Sequence, residues 1–332
     1  MDLSFLTGKK RIANIVFKDH VIRYTELKQY NPPVIQTCGE YYLPAGIIKD
    51  GKIIDFDALQ DIVEQCIDEW KISKRQVRFL VPDPCIVIRK IMIPKDVKND
   101  EIEGYLYLEL GSTIHLPFED PVFDTVILGQ NQVKRELLLF AAPEEIVSDY
   151  SSLLQACRLS PIAADISPLS LYRLYHLSDP SLVNEHVMLV QFDLQAVNAS
   201  IFVEDKPIFM RHIPIPDGED QWEKASLRNN NDGYLLYTGD KEQYMQMLGH
   251  TYTEIERVLD FYKYSLNQEQ ESVTKILISG DHPFLDDFIL EMKKRFSIPV
   301  HSLEKRYIQT IKGEALASSY YLPAGLALKG GK

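Results

Sequence analysis

The stretch IANIVFKDHVIRYTEL, residues 12–27, decides the fold: two β-rich runs flank the turn Lys18-Asp19-His20, the pattern of a hairpin. Outward from it, a third apolar segment follows, and Asp50-Gly51 marks the next turn. From Leu59 the apolar positions Leu59, Ile62, Val63, Cys66, Ile67 and Trp70 form one face of an amphipathic helix. Asp57 is its expected N-cap, with Gln60 three residues later. The strand QVRFLV (76–81) comes next and is closed by Pro82 and Pro84. The order is hairpin, strand, helix, strand.

The second half repeats that order. VMLVQF (187–192) and VNASIFV (197–203) read as a hairpin, and PIFMRHIPI (207–215) as a third strand. A helix at 284–296 gathers Phe284, Leu285, Phe288, Ile289, Met292 and Phe296 on one face, and extended IPVHSL (298–303) follows. Two copies of one plan indicate a duplicated α/β architecture. Between them, IVIRKIMIP (86–94), a helix at 99–110, FDTVIL (123–128), ELLLFAA (136–142) and a helix from Pro143 read as an inserted α+β piece. Residues 216–240, with Asn229-Asn230-Asn231 and Asp232-Gly233, read as an irregular polar loop. A helix at 252–266 carries Tyr252, Ile255, Leu259, Tyr262 and Leu266.

The 332 residues suggest two domains, and 45% hydrophobic with 25% charged residues is ordinary for a globular chain with a sizeable core. A net charge of −12 argues against nucleic-acid or anionic-membrane binding by the whole surface. It leaves room for a local basic patch, since residues 1–28 hold six Lys/Arg against three Asp/Glu. No apolar run reaches spanning length, and MDLSFLTGKKRI lacks a signal core, so a cytoplasmic chain without its own anchor is expected. Cys38, Cys66, Cys85 and Cys157 are widely spaced, the eight histidines are scattered, and no P-loop, G-x-G-x-x-G or G-x-S-x-G occurs. No metal site and no catalytic residue are expected.

Four collinear stretches carry a resemblance. They are LPAGIIKDGKIIDFDAL (43–59), VRFLVPDPCIVIRKIMIPKDVKNDEIEGYLYLELGSTIHLPFEDPVFD (77–124), LLLFAAPEEIVSDYSSLLQACRLSPIAADISPLSLYRLY (137–175), and the tail from ILISGDHPFLDDF to YLPAGLALKG (276–330). Through them the chain resembles the PilM family, actin-like proteins of type IV pilus assembly; only residues 216–250 have no clear counterpart. The resemblance implies an actin-like, duplicated ribonuclease H-like fold of two lobes with an inserted small α+β subdomain shared with FtsA. It divides the chain into 1–83 plus 159–184 (first lobe), 84–158 (inserted, on the peptide-binding side), 185–218 plus 274–332 (second lobe) and 219–273 (a small helical and irregular part of the second lobe).

The resemblance also implies a nucleotide cleft, whose motifs are eroded here. Actin-like proteins hold ATP phosphates on two Asp-x-Gly hairpin turns, where glycine lets N–H groups approach and aspartate engages Mg²⁺. In the ungapped register Val16 and Lys18 stand at the first aspartate and glycine, and Gln191 and Asp193 at the second pair. A gapped register offers Asn14 or Asp193 as the aspartate, without a glycine. The turn under the nucleoside reads Ser279-Gly280-Asp281-His282. Asp193 and Asp281 would each oppose a triphosphate by about 1 kcal/mol or more, and Lys18 could offset one by pairing with a phosphate. Glu254 and Arg257 resemble the pair that flanks adenine, and equally read as an i, i+3 ion pair. The candidate cleft residues are thus Lys18, Glu254, Arg257 and Gly280, with no cofactor expected and at most weak ATP/Mg binding.

The resulting expectation is a non-catalytic scaffold of a type IV pilus or related secretion machine. It would sit at the inner face of the cytoplasmic membrane, recruited by the cytoplasmic N-terminal tail of a PilN-like membrane protein and joined by other platform proteins. The rivals are an actin-like ATPase that switches or polymerises with nucleotide, and an FtsA-like division protein. The ending Leu326 to Lys332 lacks the membrane helix that the latter would carry.

Overall fold

The computed structural model describes residues 11–215, 221–226, 233–266 and 270–331. The first lobe begins with β1 (Ala13–Lys18), β2 (Val21–Gln29) and β3 (Val34–Tyr42), a tiny β4 (Ile48–Lys49) and β5 (Lys52–Ile53) pair, α1 (Phe56–Trp70) and β6 (Gln76–Leu80). An excursion follows through β7 (Val87–Pro94), α2 (Ile102–Glu109), β8 (Pro121–Gln130), β9 (Lys134–Pro143) and α3 (Glu144–Ala156). The chain then returns through β10 (Ser160–Asp165) and α4 (Ser167–Ser178).

The second lobe starts with β11 (Val187–Phe192), β12 (Ala196–Val203) and β13 (Lys206–Pro214). Then come β14 (Trp222–Ser226), β15 (Gly233–Tyr237), α5 (Lys241–Met247), α6 (Gly249–Asp260), β16 (Lys275–Ser279), α7 (Leu285–Arg295) and β17 (Val300–His301). Last are β18 (Gln309–Thr310) and α8 (Tyr321–Ala327).

Two sheets carry the duplication, ordered β10-β6-β1-β2-β3-β18 and β13-β12-β11-β16-β17. In each, an antiparallel hairpin (β1–β2, β11–β12) is flanked by parallel strands (β6 and β10; β16 and β17). Both faces of the central strands are covered. On one side of the first sheet, Ile15, Phe17 and Phe79 pack with Leu59 and Val63 of α1 and Tyr150 and Leu153 of α3. On the other, Val16 and Leu80 meet Leu171 and Leu174 of α4 and Leu322 and Leu326 of α8. That cluster continues into Val187, Leu189, Phe202 and Leu277 of the second sheet, so α4 and α8 are shared between the lobes. The far face of the second sheet packs on Tyr252 and Ile255 of α6 and Phe288 and Met292 of α7.

Several sequence expectations are corrected. The N-cap of α1 is Asp55, whose carboxylate accepts from the Ala58 N–H, and not Asp57; Asp57 lies in the first turn, where an acid still favours the helix dipole. Pro143 is the last residue of β9 and caps α3. The inserted unit has its own core of Ile93, Ile102, Leu106, Leu137 and Leu139. However, α3, placed with it on sequence, buries Ile146, Tyr150, Leu153 and Leu154 against the first sheet. Its Tyr150 hydroxyl donates to the Gly51 carbonyl.

The tail, placed in the second lobe, returns to the first. There β18 pairs parallel with β3, and α8, buried at all seven positions, lies against β1, β2 and α4. Gly325 is required there, since a Cβ would fall 2.0 Å from the Ser170 carbonyl oxygen. Within 216–240, residues 222–226 and 233–237 form a two-stranded ribbon instead of an irregular loop. Residues 216–220 and 227–232 lie outside the described residues, as do the first ten of the basic segment 1–28.

Candidate functional site

The carboxyl ends of β1, β6, β10, β11 and β16 converge on a cleft of about 1030 Å³ between the lobes, the usual ligand-binding position of open α/β sheets. The three motif turns meet here. Lys18, the last residue of β1, places its Nζ 2.8 Å from Asp193 Oδ1 and 2.9 Å from Asp281 Oδ2. Lys18 is therefore neither a solvated turn residue nor a free cation. Arg23 on β2 donates to Asp281 as well, and its Nε donates to Glu40 at 2.9 Å. His20 Nε2 lies 3.8 Å from Asp281, and its Nδ1 faces Gln195 Oε1 at 3.4 Å across the cleft.

A second set of polar contacts ties the lobes together at Asp83, just beyond β6. Gln191, Asn198 and His212 stand side by side on β11, β12 and β13 in register, so they share one face of the second sheet. That face looks at Asp83, whose carboxylate accepts from Gln191 Nε2 at 2.9 Å, from Asn198 Nδ2 at 2.8 Å and from Ser167 Oγ. His212 Nδ1 and Asn198 Oδ1 are 2.7 Å apart. Gln191 also donates to Asp193 and so joins the two sets.

Burial dominates the electrostatics. It would raise the Asp281 carboxyl, but Lys18 and Arg23 outweigh it and hold that group well below the usual carboxylate range. Asp193 is pushed up to about 7 by burial, with Asp281 and Asp83 adding to the effect and Lys18 opposing it. Burial raises Asp83 too. It lowers His20 to about 4 and His282 to about 3, so both rings are neutral at physiological pH. Carboxylates outnumber charged cations in this cluster, and Asp193 carries the excess.

A pH-dependent prediction follows from Asp193. A carboxyl whose folded pKa lies above its unfolded value takes up a proton on folding, so its contribution declines as pH rises from about 4 through 7. Asp193→Asn mimics the protonated form. It should leave stability nearly unchanged at pH 5 and raise it by about 1–2 kcal/mol at pH 8. Urea denaturation at the two pH values tests this; a loss at pH 8 would sink it.

On the other flank of the cleft, Trp222, Leu235 and Tyr244 line the wall. The Trp222 ring stands edge-on to His282 at 5.3 Å and 89°, Tyr244 Oη is 2.7 Å from His282 Nε2, and Phe192 stacks on the imidazole at 4.1 Å. The turn assigned to the nucleoside is thus covered by the chain's own aromatic rings. No local pattern announces Trp222 or Tyr244, because their strand and helix flank a stretch without apolar period.

Of the four residues singled out on sequence, Lys18 lines the cleft and the other three do not. Gly280 lies beneath it with φ +151°, pressed against Phe192: a Cβ would sit 1.8 Å from the Phe192 carbonyl oxygen. Glu254 and Arg257 do pair, but Glu254 is buried and also binds Arg211 of β13. Arg211 is next to His212 and projects to the opposite face of the sheet. Glu254 therefore ties α6 to β13 on the side away from the cleft.

A family model described as Type IV pilus assembly protein PilM matches residues 17–218. Among solved structures, a "PilM-PilN type IV pilus biogenesis complex" superposes with a TM-score of 0.76 at 17% identity, covering 98% of this chain and 100% of that one. The ethanolamine utilization protein EutJ from Carboxydothermus hydrogenoformans gives 0.50 at 9% identity over 97% of this chain and 91% of that one. ADP-bound MreB5 of Spiroplasma citri gives 0.51 at 8% identity over 96% and 95%. These likenesses establish the actin-like fold. No curated protein matches the sequence.

Proposed function

The chain belongs to the type IV pilus assembly protein PilM family, and from that premise we propose that it is a non-catalytic scaffold of a pilus assembly platform whose nucleotide cleft is closed by internal ion pairs. The observation that carries this reading is Lys18. It stands in the place of the first phosphate-loop glycine and is held by both Asp193 and Asp281. A triphosphate arriving there would have to break two buried ion pairs and then face two uncovered carboxylates. At the separations of such contacts each like-charge pair costs about 1 kcal/mol in water and several times that in a partly buried site. Mg²⁺ and nucleotide do not fit the residues present, and no reaction step is assigned to them.

The solved relative is a complex with PilN. By that likeness the partner of this chain is a PilN-like membrane protein, and our reading has its cytoplasmic tail dock at the inserted subdomain. Apolar side chains on that subdomain support the reading: Tyr107 and Leu108 of α2 and Val126 and Ile127 of β8 are all exposed, suited to receive apolar anchors. Among the described residues no helix is long and apolar enough to cross a membrane; in this reading the tail supplies the membrane attachment. Other platform proteins would join through the same assembly.

Titration with the synthetic N-terminal peptide of the PilN-type partner tests the docking. Saturable binding in the micromolar range is expected, and none at roughly 100 µM would overturn it. Mg-ATP at roughly 5 mM should leave the thermal midpoint unmoved. A ligand at 100 times its Kd would add about 2.7 kcal/mol, and a shift of that size would restore the ATPase reading.

A further inference from the structure

The strongest unassigned feature is the end of the first sheet opposite the cleft. Strands β1, β6 and β10 start there and β2 ends there. The Lys74 N–H donates to the Arg158 carbonyl at 3.1 Å and the Ser160 N–H to the Arg75 carbonyl at 2.9 Å. The Arg75 guanidinium reaches the Arg11 carbonyl at 3.3 Å. The register that pairs Asn14 with Thr25, continued outward, sets Arg11 opposite Lys28. Arg11, Lys28, Lys71, Lys74, Arg75 and Arg158 therefore share one rim, and all but Arg75 are exposed. At this end of the same elements the carboxylates are Glu26, which is buried and paired with Arg75 at 2.9 Å, and Asp68 and Glu69 in the last turn of α1. In sequence, Lys9 and Lys10 come directly before Arg11.

The backbone adds a second observation. Lys71, Lys74 and Arg158 have φ of +58°, +57° and +61°, a region that favours glycine. Lys71 and Arg158 follow the C-terminal ends of α1 and α3, where a cation complements the helix dipole. That explanation does not reach Lys74, which lies in the turn before β6. Three long cations thus occupy positions where the backbone alone would select glycine, all on one face of a chain whose net charge is −12.

We propose that this rim is an electrostatic contact for the anionic headgroups of a phospholipid bilayer, made without insertion and in addition to any tethering by a partner tail. The geometry favours a planar partner over a polyanion that wraps. Charge is screened beyond roughly 8 Å at physiological ionic strength, so a flat surface touching this end feels the rim and not the acidic bulk. A nucleic acid extending past the rim would meet that bulk.

Flotation of the full chain with phosphatidylcholine vesicles, with and without roughly 30% phosphatidylglycerol, tests the proposal. Each cation beside an anionic bilayer is worth roughly fivefold in binding. The wild-type chain should float only with the anionic vesicles and be released at about 0.5 M salt. The K71E/K74E/R158E variant should bind more than roughly a hundredfold more weakly. K293E/K294E, on exposed positions of α7, should bind as wild type. R11E/K28E leaves the left-handed turns untouched and should lose roughly 25-fold or more, which guards against a folding artefact. The proposal is overturned if the wild-type chain stays unbound, if both rim variants float like wild type, or if the α7 variant loses as much as they do.

Discussion

Gly280→Ala should destabilise the protein by about 4 kcal/mol or more in the absence of any nucleotide. A Cβ at position 280 would lie 1.8 Å from the Phe192 carbonyl oxygen and 2.8 Å from its nitrogen. Both are backbone atoms of β11, which cannot swing aside as a side chain would. Relief requires β16 and β11 to part at their paired ends, where Gln191 and Ser279 are in register. That opening would also loosen Asp281 from Lys18 and Arg23 and would unstack His282 from Phe192. The φ of +151° adds strain for any residue with a side chain.

Urea denaturation of Gly280→Ala checks this. A loss below about 1 kcal/mol would mean that the two strands accommodate a methyl group, and that the glycine is only a remnant of the nucleoside turn. Read from sequence, Gly280 is the one glycine surviving in a degraded ligand motif. The structure gives it a reason to persist without ligand, which is the close approach of two strands.

What the sequence discloses about this molecule divides along physical lines. The hairpins, the apolar faces of α1 and α7 and the duplicated order are legible because alternation and helical period are local and the buried faces enforce them. The affiliation of α3 is not, since an amphipathic face announces that it packs, but not on which sheet. The same limit hides the return of β18 and α8 to the first lobe. At the cleft, Lys18, Asp193 and Asp281 were each visible as departures from a motif. Their pairing with one another was not, because the partners of Lys18 follow other strands far along the chain and periodicity carries no pairing. Glu254 shows the converse. Its i, i+3 partner Arg257 is plain in the sequence, while Arg211, which turns the pair away from the cleft, comes from β13.

Lys18→Ala should cost about 3 kcal/mol at pH 8 and clearly less at pH 5. Removing one member of a buried ion pair leaves the remaining charge without compensation, typically a loss of several kcal/mol. Two carboxylates lose a partner here, but not equally. Asp281 keeps Arg23 and remains charged. Among the described residues Asp193 keeps the Gln191 hydrogen bond alone, and its carboxyl, already pushed up to about 7 with Lys18 present, would rise further without it. Below that pH the native variant binds a proton and escapes most of the penalty. Above it, folding must carry an uncompensated buried carboxylate. The gap between wild type and variant therefore widens as pH rises through 7. Adding Asp193→Asn to the variant should recover about 2–3 kcal/mol of the loss at pH 8, more than the ~1–2 kcal/mol it adds to the wild type, and that excess is the coupling a double-mutant cycle reads. If the single variant loses the same amount at both pH values, or the second substitution recovers no more than it adds to the wild type, then Lys18 is not the counter-charge of Asp193. The ion-pair closure of the cleft would then lose its foundation.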